Sequence, residues 1–403
     1  MLYEMVDTKL EIQLTRRIKR IKPSPTLAVT QRAAELKAAG HDIVSLGAGE
    51  PDFDTPAHIK EAAIKAIRDG KTKYTAVDGI PSLKAAVVEK FKRVNGLNYS
   101  PDQIIISTGG KQCIYNLLQA IIEEGDEVII PAPYWVSYPD MVLLADGSPV
   151  FIPTDIEHRF KITPEQLAAA ITPKTKLFII NSPSNPSGMA YTHAELKALA
   201  EVLLANPHVL IATDDMYEHI LWTQEPFSNL LMVCPELYER TFILNGVSKA
   251  YSMTGWRIGY ASGPKAVIKA MNNIQSQSTS NPCSIAQAAA EAALRGGMET
   301  VHEMVTTFKK RHDYLVSSLN AINGIQCAAG DGTFYAFARV QDIIDRMPDI
   351  QSDVQLSEHL ISAAGVALVP GSAFGSEGFV RLSFATSMET LEKAIDRLKR
   401  AFS

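Results

Sequence analysis

Residues 244–260 read L-N-G-V-S-K-A-Y-S-M-T-G-W-R-I-G-Y. Lys249 follows a short apolar run, Thr241–Asn245, of the kind that forms a buried strand. Among small residues its amine meets little water. Desolvation disfavours the ammonium and lowers the lysine pKa, the condition an imine-forming lysine needs. Eight residues on, Arg257 lies between Trp256 and Ile258. A fixed guanidinium there suits a phosphate, held bidentately. The same spacing also fits a structural lysine and an arginine buried with a carboxylate.

Outward from this stretch, apolar strands alternate with amphipathic helices from about residue 50 to 290. Strands are expected at Gln103–Ser107, Glu127–Ile130, Leu177–Asn181, Val209–Thr213 and Thr241–Asn245, each reading as a buried parallel strand. Helices are expected at Lys111–Glu123 and His193–Leu204. The alternation predicts an α/β fold: a large domain whose mainly parallel central sheet is flanked by helices. The C-terminal hundred residues differ. A long helix over Met298–Leu319 precedes strands at Phe334–Arg339 and Val380–Phe384 and helices at Ser357–Ala364 and Met388–Phe402. They predict a smaller α+β domain, on which Pro25–Gly40 packs. The expected division is an N-terminal arm (1–20), a discontinuous small domain (21–50 with 298–403) and a large domain (51–297). The cleft between domains is the expected small-molecule site.

The whole-chain numbers narrow the function class. The 403 residues carry 39 Lys and Arg against 44 Asp and Glu, a formal net charge of −5, which makes no case for nucleic acid. The basic run Arg16, Arg17, Lys19, Arg20 and Lys22 reads as a solvated face or an arm lying on a partner. Glu4, Asp7 and Lys9 interrupt any secretory h-region, and no apolar stretch is long enough to span a membrane. Cys113, Cys234, Cys283 and Cys327 lie far apart without a C-x-x-C, as expected of buried apolar residues in a reducing cytosol. A soluble cytoplasmic chain is expected.

Further motifs gather around one ligand. Thr108–Gln112, T-G-G-K-Q, joins a strand to a helix; its glycines let the backbone approach an anion, and the helix start offers free N–H groups. It is neither G-x-G-x-x-G nor a P-loop, so no dinucleotide is indicated. Asp214 and Asp215 end a buried strand, where a carboxylate points into the ligand crevice. Asp214 could hold a protonated ring nitrogen and Tyr217 a ring hydroxyl; either aspartate could instead cap a helix. In N-S-P-S-N-P-S-G, Asn185 before Pro186 is extended, and its amide could donate to a ligand. Trp135, in P-Y-W-V-S-Y, could stack on a flat ring or belong to the core. Arg381, in V-R-L-S-F, taken alone would face solvent.

S-K-A-Y-S-M-T-G-W-R-I-G-Y, N-S-P-S-N-P-S-G, A-G-E-P-D-F-D-T-P and V-R-L-S-F-A-T together resemble the class I aminotransferases of pyridoxal-phosphate fold type I. P-Y-W-V-S-Y-P and T-G-G-K-Q make the chain similar to the bacterial aspartate aminotransferase subgroup, and the likeness runs from about Lys22 to Phe402. The resemblance implies pyridoxal 5′-phosphate as cofactor, with Lys249 as Schiff-base lysine, Asp214 on the pyridine nitrogen, Tyr217 and Asn185 on the ring O3′, and Trp135 stacked on the ring. It gives the phosphate to Gly109, Gly110, Ser248 and Arg257, and to Tyr74 of a neighbouring subunit in a homodimer with shared active sites. Arg381 becomes the clamp for the substrate α-carboxylate, with the Gly49 backbone.

The implied reaction is ping-pong transfer of an amino group from L-aspartate to 2-oxoglutarate, giving oxaloacetate and L-glutamate. The segment S-Q-S-T-S-N-P-C lacks the arginine that binds the distal carboxylate in animal-type enzymes. The resemblance points to Lys111 for that carboxylate. Lys161, in R-F-K-I-T-P, is similar to members that also act on prephenate, or else is a solvated lysine before a helix. Alternatives are alanine, aromatic or glutamate/aspartate-prephenate aminotransferases, a C–S lyase and, remotely, an effector-sensing regulator on the same fold. The last would need a DNA-binding domain, for which about 20 leading residues leave no room.

Overall fold

The computed structural model describes residues 12–23 and 25–402. In chain order the strands are β1 (Val44–Ser45), β2 (Ile104–Ser107), β3 (Glu127–Pro131), β4 (Ser148–Ile152), β5 (Thr175–Asn181), β6 (Leu210–Asp214), β7 (Thr241–Gly246), β8 (Gly259–Ser262), β9 (Gln326–Cys327), β10 (Tyr335–Arg339), β11 (Val366–Ala367), β12 (Val369–Pro370) and β13 (Phe379–Ser383). A seven-stranded sheet has the order β2-β8-β7-β6-β5-β3-β4. Strands β3 to β7 pair in parallel, while β8 runs antiparallel to both β2 and β7. The strand expected at Gln103–Ser107 therefore has an antiparallel neighbour, and its first residue belongs to a short 3₁₀ turn.

Both faces of this sheet are covered. Ile104 and Ile106 enter one apolar cluster and Ile105 the other; Ile243 enters the first, Phe242 and Leu244 the second. Period-2 alternation thus sends neighbouring side chains into opposite layers, which is why these strands read as continuous apolar runs. Each such fully buried side chain contributes about 2 kcal/mol of transfer free energy. Helix Gly110–Ile121 starts three residues after β2, and helix His193–Ala205 opens on a capping box in which Thr192 and Glu195 satisfy each other's backbone N–H groups.

A second, antiparallel sheet has the order β12-β13-β10-β9, and β1 pairs in parallel with β11. Helix Glu299–Asn320 buries Val301, Met304, Phe308, Leu315 and Leu319 at helical spacing. Helix Pro25–Ala38 contributes Ala33 to a small cluster with Ile43, Ile361 and Ala367, so it packs where expected. Helix Asp353–His359 starts four residues before the expected Ser357 and ends in a π turn over Leu360–Ala364, which Gly365 closes at φ +64°. Residues 1–11 of the expected arm lie outside the described residues. Of the basic run, Arg17 and Arg20 pair with Asp146 of the same chain.

Candidate active site

The carboxyl ends of β5, β6 and β7, the start of helix Gly110–Ile121 and the turn after β3 converge on a cleft of about 270 Å³. Parallel strands place their C-terminal residues at such a crevice. Gly49, Gly110, Lys111, Trp135, Asn185, Asp214, Tyr217, Ser248, Lys249, Arg257 and Arg381 all line it. Eleven of the residues singled out in the sequence are therefore brought together.

Lys249 lies three residues past β7, and its Nζ donates to the Gly49 carbonyl at 2.5 Å. Burial lowers its pKa to about 8, against the opposing charge of Glu50. Asp214, the last residue of β6, is raised above the ordinary carboxylate range by burial. The Tyr138 hydroxyl donating to its Oδ2 at 2.5 Å, the Met216 N–H donating to its Oδ1 at 3.2 Å and the charge of Lys249 all oppose that rise. Neither aspartate is a plain helix cap. Asp215 turns to the opposite side, where it accepts from Asn229 Nδ2 at 2.6 Å, and burial lifts it to about 8.

On the anion side, Gly109 has φ +84°, and a Cβ there would lie 2.3 Å from Arg257 Nη2; one on Gly110 would meet Met216 Cε at 2.5 Å. Only glycine lets Arg257 and Met216 come this close to the helix start, whose free N–H groups suit an anion. Arg257 donates to the carbonyls of Thr254 and Thr108 at 2.9 and 3.4 Å. Among the described residues no carboxylate pairs with it, so the alternative of an arginine buried with a carboxylate fails. Nor is its setting dry: Arg257 adopts left-handed backbone at φ +56° and stays exposed along the cleft.

Arg381, on β13, is 2% exposed. Its Nη1 donates to Asn185 Oδ1 and its Nη2 to the Gly47 carbonyl, both at 2.9 Å. The guanidinium lies between the rings of Tyr335 and Phe374, 4.3 and 4.9 Å from their centroids. Its Nε has no partner, and among the described residues no carboxylate meets it. A buried cation without a counter-ion is costly unless a ligand supplies one. The solvent-facing reading of Arg381 is overturned.

Lys111 Nζ stands 5.0 Å from the Trp135 ring centroid, its pKa lowered by burial and by Arg257. Lys161 is not in the cleft. It pairs with Glu195 at 2.6 Å and lines a separate cavity of about 280 Å³, so neither a solvated lysine nor a cleft residue describes it. Gly109 backs the cleft behind Arg257. Tyr74 is 93% exposed, outside its own chain's cleft.

Sequence reasoning missed Tyr138 and Tyr335. Tyr138 follows Trp135 by three residues, which places both on one side of the helical turn. Tyr335 opens the alternating Y-A-F-A-R strand, and its hydroxyl lies 3.2 Å from that of Tyr217. Asn181, paired in register with Asp214, links the two site strands by donating to the Asp214 carbonyl at 2.8 Å.

Residues 41–398 match the family described as aminotransferase class I and II. The chain is 58% identical over 397 residues to an aspartate/prephenate aminotransferase of Nitrosomonas europaea, covering 97% of this chain and 100% of that protein. It is 55% identical over 384 residues to one of Cereibacter sphaeroides, covering 94% and 96%. Among solved structures, the aspartate aminotransferase of Rhizobium meliloti superposes with a TM-score of 0.93 at 48% identity, covering 97% of this chain and 99% of that one. That of Thermus thermophilus with maleate gives 0.91 at 45% identity, covering 97% and 100%. With this match over nearly its whole length and a cleft that sets Arg257 and Arg381 around a desolvated Lys249, the chain belongs to the class I and II aminotransferases.

Proposed function

We propose that the chain is a pyridoxal 5′-phosphate-dependent aminotransferase that takes its amino group from L-aspartate and passes it to 2-oxoglutarate. The observation that carries this reading is the buried Arg381, which meets no carboxylate among the described residues, in one cleft with Lys249 and with an anion cradle. The residues fit the cofactor. The helix N–H groups, Ser248 and Arg257, whose guanidinium packs where a Cβ on Gly109 would lie, would take a phosphate. Lys249 would hold the aldehyde end, Asp214 the ring nitrogen, Tyr217 and Asn185 the ring hydroxyl, and Trp135 one ring face. When bound, the cofactor supplies an electron-accepting ring that stabilises negative charge at the substrate Cα.

The protein's own groups do the rest. Arg381 binds the α-carboxylate; its two neutral acceptors leave its charge uncompensated for that ligand. Lys249, with a pKa of about 8, is both acid and base near neutrality and moves the proton at the substrate Cα. Lys111 would bind the distal carboxylate. Similarity to the aspartate/prephenate aminotransferases of Nitrosomonas and Cereibacter favours prephenate, a 2-oxo acid with a further carboxylate, as a second acceptor. With Lys161 engaged by Glu195, Lys111 is the cation for it as well.

The exposed Tyr74 supports a homodimer in which each subunit completes the other's phosphate site. Four free cysteines, and no described helix long and apolar enough to cross a membrane, support a cytoplasmic setting. The division into 21–50 with 298–403 against 51–297 is supported by the separation of the antiparallel sheet from the seven-stranded one.

The test is a comparison of amino donors in single half-reactions, followed by loss of the loaded protein's visible absorption. Aspartate should react faster than alanine or phenylalanine; equal rates would remove the aspartate assignment. A purified protein that takes up no pyridoxal phosphate would remove the whole reading.

A further inference from the structure

Residues 46–56 form an irregular segment between β1 and helix Ala57–Arg68 that contacts two of the cleft's cations and reaches a third through Thr254. The Gly47 carbonyl accepts from Arg381 and the Gly49 carbonyl from Lys249. Glu50 accepts from the Thr254 hydroxyl at 2.7 Å, and the Thr254 carbonyl accepts from Arg257. Two cations are thus held by neutral carbonyl oxygens, which orient a charge without cancelling it. That device works only while the segment itself is held in place.

Its upstream end is fixed by the backbone, since the Leu46 carbonyl accepts from the Ser383 N–H at 2.7 Å. Its downstream end is fixed by side chains. Asp52 accepts from Arg311 Nη1 and Nη2 at 2.8 and 2.9 Å, a bidentate fork with the arginine side chain only 10% exposed. The guanidinium also lies 5.5 Å from the Phe53 ring and 5.8 Å from that of Phe308, and these two rings meet edge to face. Arg311 belongs to helix Glu299–Asn320 and does not line the cleft.

We propose that Arg311 is a positioning residue for the amino-transfer site, acting through Asp52 to hold the Gly47 and Gly49 carbonyls against Arg381 and Lys249. Planarity, two parallel hydrogen bonds and two flanking rings leave the fork little freedom. A lysine could keep the charge but not the orientation. The inference rests on the proposed cofactor and substrate class.

The test uses the cofactor-loaded enzyme and its Arg311→Met, Arg311→Lys, Asp52→Asn and Arg311→Met/Asp52→Asn variants. Two quantities are read besides activity: the dissociation constant of maleate, a dicarboxylate with no group to react, and the pH midpoint of the visible absorption. A shift of about an ångström in a bound group's setting is expected to weaken maleate about tenfold in Arg311→Met and Asp52→Asn alike. The double variant should be no worse than either single change, because both break one contact. The pH midpoint should move with them, and Arg311→Lys should recover part of each loss. Wild-type maleate affinity and midpoint in variants that merely melt earlier would overturn the proposal, as would additive losses. Should Arg311→Met not fold, the isosteric Asp52→Asn carries the same test. A wild-type enzyme that binds neither cofactor nor maleate would instead overturn the functional reading on which the proposal stands.

Discussion

The hydroxyl of Tyr138 donates to Asp214 Oδ2 at 2.5 Å, joining the helix after β3 to the end of β6 across 76 residues of sequence. Burial alone drives the Asp214 carboxyl upward, and this hydrogen bond is the largest influence opposing it. Tyr138→Phe keeps the ring and its edge contact with Trp135. Losing a hydrogen bond to a charged group costs about 2 kcal/mol, so cofactor affinity or turnover should fall by at least about tenfold. Equilibrium binding of pyridoxal phosphate and kcat for the variant would measure it; wild-type values in both would show that the contact is only structural.

The Lys249 amine is lowered to about 8 from an ordinary 10.5, chiefly by burial. Only the unprotonated amine is a nucleophile. Uptake of pyridoxal phosphate by the cofactor-free protein should therefore accelerate as pH rises through about 8 and level off above it. Stopped-flow absorbance from pH 6.5 to 9.5 would follow this; a rate still climbing steeply toward 10.5 would mean that the amine is not desolvated.

Arg381→Lys keeps the charge but leaves Asn185 Oδ1 and the Gly47 carbonyl without their planar donor. Truncating a buried charged contact of this kind costs about 2–5 kcal/mol. Every amino acid and oxo acid presents the same α-carboxylate, so kcat/KM should fall by about a hundredfold for both half-reactions. A loss confined to one substrate would count against the assignment.

Lys111→Ala and Lys161→Ala separate the two candidates for the distal carboxylate. The first should lower kcat/KM for aspartate by about tenfold and leave alanine unchanged, the difference a charge-assisted hydrogen bond makes. The second breaks an ion pair with Glu195 outside the cleft and should leave the aspartate-to-alanine ratio unaltered. The opposite pattern would move the site to Lys161.

Beneath β6, Glu218 is buried with Lys90 and accepts from Asn95 Nδ2 at 3.0 Å and Asn245 Nδ2 at 2.8 Å. Burial pushes its carboxyl up, but Lys90, His219 and the Asn95 amide outweigh it and hold it at about 2 against an ordinary 4.5. A depressed carboxylate stabilises the fold fully above pH 4.5, and the contribution disappears as pH falls toward about 2. Glu218→Gln, which leaves the Lys90 charge buried, should cost about 3 kcal/mol near neutrality. Chemical denaturation at pH 7 and pH 3 would read it: the gap between wild type and variant should narrow in acid.

Much of the fold was legible because strands buried on both faces are continuous apolar runs, as Ile104–Ile106 and Phe242–Leu244 are. Two strands of the seven-stranded sheet were not, nor were the two-residue strands β1, β9, β11 and β12, too short to show a period. In β4 the edge position tolerates Pro149, which masks the pattern, and β8 is G-Y-A-S, with no β-branched residue at all. Its antiparallel direction has no local signature. The site residues that stood in glycine- or proline-bearing turns, such as Gly109, Gly110 and Asn185, were readable because those turns require particular residue types. Tyr138 and Tyr335 were not, since an aromatic near a strand end reads equally as core.

By itself the sequence determined the α/β alternation, the strand ends that carry Asp214 and the Lys249 turn, and the set of cations that could meet an anionic ligand. Only the tertiary structure decided how those charges are spent. Among the described residues Arg381 and Arg257 meet no carboxylate, whereas Lys161 is paired with Glu195. The reason is physical. Residue type and period are local, but whether a buried charge is paired depends on groups brought together from 34 to 334 positions away, as in Lys161–Glu195 and Arg381–Gly47. A cation's function follows from that pairing.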